Sequence, residues 1–184
     1  MDTSNLTIET NNLYLKSIKE EYKNDIFREF TAEITTHMFP KPAKKIEETI
    51  EFIKTSIKEN KEGSNFQIVI LNKQNGDFIG CGGVHHIDRK TPELGIWIKK
   101  SAHGNAYGKE TITALKKWTD ENLDYDYLLY PVAADNYPSR KIPELLGGKI
   151  AREYDITNMS GKKLHILEYR IYPTDNYVEN KKNI

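Results

Sequence analysis

The 184-residue chain predicts an α+β fold with a largely antiparallel sheet of about seven strands flanked by about four helices. Two features of the sequence lead there. Hydrophobic period switches between helical and alternating along the chain, and the middle strands are joined as hairpins. The length suits one sizeable core, so residues 1–184 are read as a single domain, without linker, repeat or low-complexity tract. Hydrophobic residues make up 38%, with 11 Tyr, 6 Phe and 2 Trp, enough bulky apolar surface for the chain to fold.

Leu13, Leu15 and Ile18 sit in a short segment with apolar alternation at its start, which reads as a first strand. Tyr22, Ile26, Phe27, Phe30 and Ile34 recur at helical spacing, which predicts one helix from Glu20 to Thr36, broken by Pro40 and Pro42. Ile46, Ile50, Ile53 and Ile57 form an apolar stripe among Lys and Glu, a second helix ending near Glu62-Gly63. Phe66 to Leu71 and Phe78 to Val84 flank a turn with Asn75-Gly76 and read as a hairpin; Glu93 to Ile98 is the next strand. A helix follows from about Gly108 to Leu123, a strand from Tyr127 to Ala133 and a short helix from Ser139 to Leu146. Ile150 to Ile156 and Leu164 to Tyr172 close as a hairpin around Ser160-Gly161, and a polar, flexible tail is expected over 173–184.

Charge and cysteine content narrow the partners. Lys+Arg and Asp+Glu each total 27, so no basic excess recommends nucleic acid or an anionic membrane. No apolar run approaches the roughly 20 residues of a membrane span. The single Cys81 allows no internal disulfide and the N-terminal residues have no signal-peptide pattern, so a cytoplasmic protein is the working class. The sequons at Asn5 and Asn158 are read as chance.

The segment carrying chemistry runs from Glu93 to Glu110: a strand, the small-residue turn His103-Gly104-Asn105-Ala106-Tyr107-Gly108, and a helix. Such a turn brings consecutive N–H groups and a helix N-terminus round a phosphate; taken alone, it serves a tight strand–helix connection equally well. It is no Walker loop, because Gly104 and Gly108 enclose three residues and Glu110 follows Lys109. Gly80-Cys81-Gly82-Gly83 is no dinucleotide fingerprint either, and reads as a bulge or close packing within a strand.

The turn resembles the acetyl-CoA-binding motif of the GNAT family of N-acetyltransferases. A second block, Asn136-Tyr137-Pro138-Ser139 through Leu146-Gly147-Gly148, resembles the later Asn-x-x-Ser helix of its RimJ/RimL-like ribosomal-protein acetyltransferase subgroup. The order of elements matches from Asn11 to Tyr172, which implies the GNAT fold with a mixed, twisted sheet. Three residues depart from the family pattern. Ala106 replaces a usual Gly, so the loop is expected to survive only with that residue helical. His103 replaces a usual Arg or Gln, and Pro143 stands where many members place a Tyr general acid.

The resemblance implies transfer of an acetyl group from acetyl-CoA, as co-substrate, to a primary amine by direct attack. A backbone N–H at Trp97 or Ile98 would stabilise the oxyanion, and Ile96, Trp97 and Ile98 would pair with the pantetheine arm as an added strand. Pyrophosphate would rest on His103, Gly104, Asn105, Ala106, Tyr107 and Gly108, with Asn136 and Ser139 facing pantetheine and sulfur. Ser139 is the candidate donor to the leaving thiolate, or alternatively a helix N-cap. Glu93, sharing a strand face with Gly95 and Trp97, is the candidate base through water, or alternatively an exposed strand-end carboxylate. His85 is a candidate lining residue of the acceptor cleft, His165 a core or edge residue, and no metal site is expected. The acceptor is a small molecule or a protein N-terminus, and a homodimer is left open. The alternative reading is a non-catalytic acyl-CoA sensor on the same fold.

Overall fold

The computed structural model describes residues 1–174. Eight strands form one sheet: β1 (Thr7–Glu9), β2 (Leu13–Ser17), β3 (Asn65–Asn72), β4 (Phe78–His85), β5 (Glu93–Ile98), β6 (Leu128–Ala133), β7 (Lys149–Thr157) and β8 (Lys163–Ile171). Their order is β1-β2-β3-β4-β5-β6-β8-β7. Every neighbouring pair is antiparallel except β5 and β6, which run parallel. Four helices flank the sheet: α1 (Lys23–Glu29), α2 (Ile46–Glu62), α3 (Tyr107–Asn122) and α4 (Tyr137–Leu145). The α+β expectation is met, with β1 as an added three-residue strand too short and exposed to show a period.

Two apolar layers define two faces. On the back face, Ile112, Leu115 and Trp118 of α3 meet Leu13, Leu15, Phe66, Ile68, Leu94 and Leu128 of the strands. On the front face, Ile26 of α1 and Ile53 of α2 meet Val69, Leu71, Phe78 and Cys81, with Trp97 against them. The α1–α2 cover centres on β3 and β4 and reaches β5 through Trp97. The strip beyond it becomes the site.

The helix expected from Glu20 to Thr36 is corrected to a 3-10 turn at Glu20–Tyr22, the short α1, and a second 3-10 turn at Ile34–His37. The break falls at Phe30, whose ring turns inward against Trp97 with centroids 5.0 Å apart. Beyond it, threonines bond to their own backbone: Ile34 N–H donates to Thr31 Oγ1 and the Thr36 hydroxyl to Ala32 O, local bonds that compete with a continuous helix. The freed segment then crosses the front face to the β7–β8 turn, where Asn158 Nδ2 donates to Met38 O and Met159 N–H to Phe39 O. The Asn158 side chain is buried and bonded at both ends, which leaves no room for a glycan there.

The Gly80–Gly83 run is a place of close approach. The β3–β4 register shifts between Ile70 and Leu71, opposite Gly80 and Phe78. A Cβ on Gly80 would overlap the Trp97 carbonyl oxygen, and one on Gly83 would lie 2.6 Å from Phe66 O. After β8, Thr174 Oγ1 bonds Asp120 and Lys116, which form a buried pair at 2.8 Å with Tyr125 donating to Asp120. The remainder of the tail expected to be flexible, 175–184, lies outside the described residues.

Because the obstruction at Gly80 is backbone rather than a movable side chain, Gly80→Ala should destabilise the fold by about 2–3 kcal/mol, read as a lower urea midpoint at unchanged slope.

Candidate active site

The site begins where two strands part. β5 and β6 pair at a single register position, Glu93 with Leu129, beside the bond from Leu129 N–H to Pro92 O at 2.8 Å. Beyond it they diverge. The peptide orientations identify what faces the opening. Lys99 N–H donates to Ile79 O on β4, so the Ile98 carbonyl, in the same trans peptide, points away from β4. The Trp97 carbonyl points at Gly80 and the Gly95 carbonyl at Gly82, so the N–H groups of Ile98 and Ile96 also point into the gap. On β6, Leu129 N–H turns toward β5 and Ala134 N–H toward β8, which puts position 131 on the gap side. That position is Pro131, which has no N–H to offer a ladder. Parting is thus written into β6 itself.

Of the two oxyanion donors expected from sequence, Ile98 is the one turned to the gap, while Trp97 N–H faces β4 opposite Cys81. The Trp97 side chain lies on the front face between Phe30 and Phe78. His103 folds back so that Nε2 sits 2.8 Å from Ile98 O and occupies a gap-facing acceptor of β5.

The turn after β5 leads into α3 with Gly104 and Ala106 both left-handed, at φ 84° and 59°. The expectation of a helical Ala106 is therefore corrected. The reversal at this residue lets its carbonyl accept the first bond of α3, from Glu110 N–H at 3.0 Å. Among the described residues, no backbone N–H from Gly104 to Lys109 donates to the protein. Asn105 Nδ2 braces the turn through Ala102 O and His103 O, and Glu110 ties it to the β1–β2 turn through Thr10 and Asn12. The Tyr107 hydroxyl accepts from Asn72 Nδ2 at 3.3 Å. A Cβ on Gly108 would lie 3.4 Å from Ile142 of α4 and within 4.0 Å of Ile96 and Ile98, so strand edge, turn and α4 meet at one point.

On α4, Asn136 is the N-cap residue and Ser139 stands three residues inside, and neither side chain caps the helix. The capping alternative for Ser139 is thereby removed. Its Oγ lies 2.9 Å from the hydroxyl of Tyr130, a buried phenol pushed up to about 12 by desolvation against the lowering effect of Ser139. Pro143 is buried within α4, where it packs rather than reacts.

The front face of the gap carries the ionisable groups. Glu93 is partly buried; desolvation first, then the charge of Glu168, raises its pKa above the ordinary carboxylate value. Glu168 is buried beside it on β8 and bonded to Arg152 at 2.8 Å. His85, directly across from Glu93 in register, leans over Gly95: a Cβ there would lie 3.0 Å from His85 Nε2. Burial lowers the His85 pKa, helped by His86 and opposed by Glu59. His37 Nδ1 lies 3.0 Å from Asp135 Oδ1 at the wide end of the opening. His165 is not in the core: it is exposed and bonded to Asp155 and Glu153. No three His, Cys, Asp or Glu side chains gather into a metal site among the described residues.

Tyr130, Pro131, Glu168 and Arg152 are the site residues that sequence reasoning passed over. Pro131 within a strand pattern was a usable signal for an unpaired edge, and Glu168 within an apolar strand was a weaker one.

A sequence model of the acetyltransferase (GNAT) domain matches residues 12–149. The chain belongs to the GNAT acetyltransferase family. It is an acetyl-CoA-dependent N-acetyltransferase, and the free N–H groups of the turn and the gap-facing edge of β5 fit a pyrophosphate and an amide-bearing arm. No curated protein matches. Among solved structures, the Salmonella typhimurium acetyltransferase that modifies the N-terminal serine of ribosomal protein L7/L12 superposes with TM-score 0.79 at 14% identity, covering 91% of this chain and 99% of that one. The ribosomal-protein-S5-alanine acetyltransferase of Vibrio fischeri gives 0.79 at 15%, covering 93% and 98%. The microcin C7 self-immunity acetyltransferase MccE, in complex with acetyl-CoA and AMP, gives 0.78 at 16%, covering 89% and 93%. At these identities the likeness is one of fold. No described helix is long and apolar enough to cross a membrane.

Left-handed alanine costs about 1–2 kcal/mol, partly offset by the greater unfolded-state freedom of glycine. Ala106→Gly should therefore stabilise this GNAT protein by about 0.5–1 kcal/mol, seen as a melting point higher by about 2–4 °C.

Proposed function

We propose that the protein acetylates a primary amine presented on the front face of the β5–β6 gap, with a protein N-terminus as the leading acceptor class. The observation that carries this reading is the gap itself. Its back edge offers the backbone groups of Ile96 and Ile98 beside the free N–H groups of the turn, and its front edge offers Glu93. The bound co-substrate supplies the activated acetyl thioester. Ile96, Trp97 and Ile98 form the strand that the pantetheine arm joins, and residues 103–108 hold the pyrophosphate. Ile98 N–H stabilises the oxyanion, Glu93 takes the amine proton through water, and Ser139 donates to the departing sulfur. Asn136 lines the pantetheine path beside it.

Protein N-termini lead because one protein of the same fold is named for modifying the N-terminal serine of ribosomal protein L7/L12 and another for acetylating an alanine of ribosomal protein S5. MccE keeps smaller acceptors in the test. A reducing, cytoplasmic setting suits the buried, unpaired thiol of Cys81.

The reading is tested by thiol release from acetyl-CoA with peptides bearing free N-terminal Ser or Ala and with small primary amines, products being identified by mass spectrometry. N-acetylated product is expected with at least one acceptor; no thiol release with any of them would overturn it. Glu93→Gln should lower kcat/KM by about 10²-fold or more. A base works when deprotonated, so activity should rise with pH through the Glu93 pKa. Burial and Glu168, itself paired with Arg152, raise that pKa, with Tyr154 and His85 also near it, so the acidic limb should lie above the ordinary carboxylate value. In Glu168→Gln the limb should move to lower pH, measured as kcat/KM against pH.

A further inference from the structure

Many members of the family carry a Tyr acid in α4, and here that place is Pro143. A tyrosine from a different element nevertheless meets α4, one turn before that place. Tyr130, on β6, projects to the back face, is 3% exposed, and brings its hydroxyl to 2.9 Å from Ser139 Oγ. Ser139 is the one hydrogen-bond partner of the phenol among the described residues.

That isolation decides which atom donates. A phenol has one hydrogen, a serine hydroxyl one hydrogen and two lone pairs. If Ser139 donated, the phenolic hydrogen would be buried with no acceptor, at a desolvation cost larger than the bond is worth. If Tyr130 donates, the phenol is satisfied and the Ser139 hydrogen is released toward the open side. Ser139 is half-buried, does not cap α4, and stands beside the point where Ile96, Ile98, Gly108 and Ile142 converge. Its hydrogen is then free for a group bound at that point.

We propose that Tyr130 is a positioning residue, which donates its hydrogen bond to Ser139 Oγ and thereby presents the Ser139 hydrogen to the sulfur leaving the thioester. The inference rests on the acetyl-transfer reading above. As the tetrahedral adduct collapses, the C–S bond breaks with both electrons on sulfur, and Ser139 donates a hydrogen bond to that thiolate. No proton has to leave Tyr130. The proton lost by the amine to Glu93 and water balances the thiolate, which leaves as free thiol. Donation from the phenol makes Ser139 a stronger donor in turn, since linked hydrogen bonds polarise one another. A tyrosine at position 143 is then unnecessary, because the hydroxyl that meets sulfur belongs to Ser139 and the phenol acts from behind it.

The test is a double-mutant cycle on Tyr130→Phe, Ser139→Ala and the pair, read as kcat and as KM for acetyl-CoA with the best acceptor of the panel. Tyr130→Phe should lower kcat about 10-fold or more, with KM for acetyl-CoA within about 2-fold of wild type. Once Ser139 is alanine, removing the phenol should cost nothing further, to within about 2-fold. Wild-type kcat in Tyr130→Phe, or losses that multiply in the double variant, would overturn the proposal while leaving acetyl transfer standing. A wild type that releases no thiol with any acceptor would instead overturn the transfer reading and this inference with it. Thermal melting checks that Phe, which keeps the ring, preserves the fold. If it does not, a ring-fluorinated tyrosine placed at position 130 replaces it: the more acidic phenol is the stronger donor to Ser139 Oγ. kcat should rise; an unchanged or lower kcat would overturn the proposal.

Discussion

One failed strand pairing organises the protein. β5 and β6 lie side by side and parallel, yet after Glu93 and Leu129 their backbones part and the polar groups of Ile96 and Ile98 face a gap. Unpaired backbone in the middle of a sheet is costly unless something else meets it. Pro131 removes the one donor that β6 would have aimed at β5 from the middle of the gap, so continued pairing would gain little. The protein therefore keeps an internal edge, and an edge inside a sheet is a binding surface for an extended, amide-bearing chain.

The neighbouring elements follow from that edge. α3 starts immediately beyond it, through a turn with two left-handed residues, so its unbonded N–H groups open at the wide end. α4 closes the back, and the absence of a side chain at Gly108 admits Ile142 to the same point. In front, α1 ends early at Phe30, and the chain crosses to the β7–β8 turn instead of continuing as helix over the gap. Glu93, Glu168 and His85 lie together on that front face. The ionisable groups there are few and mutually adjusted. Glu168 is paired with Arg152, while Glu93 is raised by burial and then by the charge of Glu168, which brings a carboxylate nearer the range useful to a base.

Much of this was legible in order and not in space. The helical stripe of Ile46 to Ile57, the Asn75-Gly76 hairpin and the strand from Glu93 to Ile98 emerge from period and turn chemistry alone, because those signals are local. The long first helix was misread for a related reason. Its apolar spacing is genuine, but Phe30 has a partner in Trp97 far along the chain, and local spacing carries no information about that contact. Ala106 shows the complementary failure. Intrinsic preference argues for a helical alanine, and the bonds on either side of the turn hold it left-handed regardless.

What the sequence determined by itself was the chemistry's vocabulary: a small-residue turn between strand and helix, a later Asn-x-x-Ser helix, a carboxylate at the head of a strand, and enough apolar pattern for an α+β fold. These depend on residue type and short spacing, which a linear text preserves. What only the tertiary structure decided was which groups are free. Ile98 rather than Trp97 faces the gap because trans peptides alternate and β4 takes the other side. Ser139 is uncommitted as a cap and bound to a phenol from another element, and Glu93 is tuned by a carboxylate two strands away. Availability of a hydrogen bond, and the charge state of a buried acid, are set by partners distant in sequence, so they come into being only when the sheet assembles.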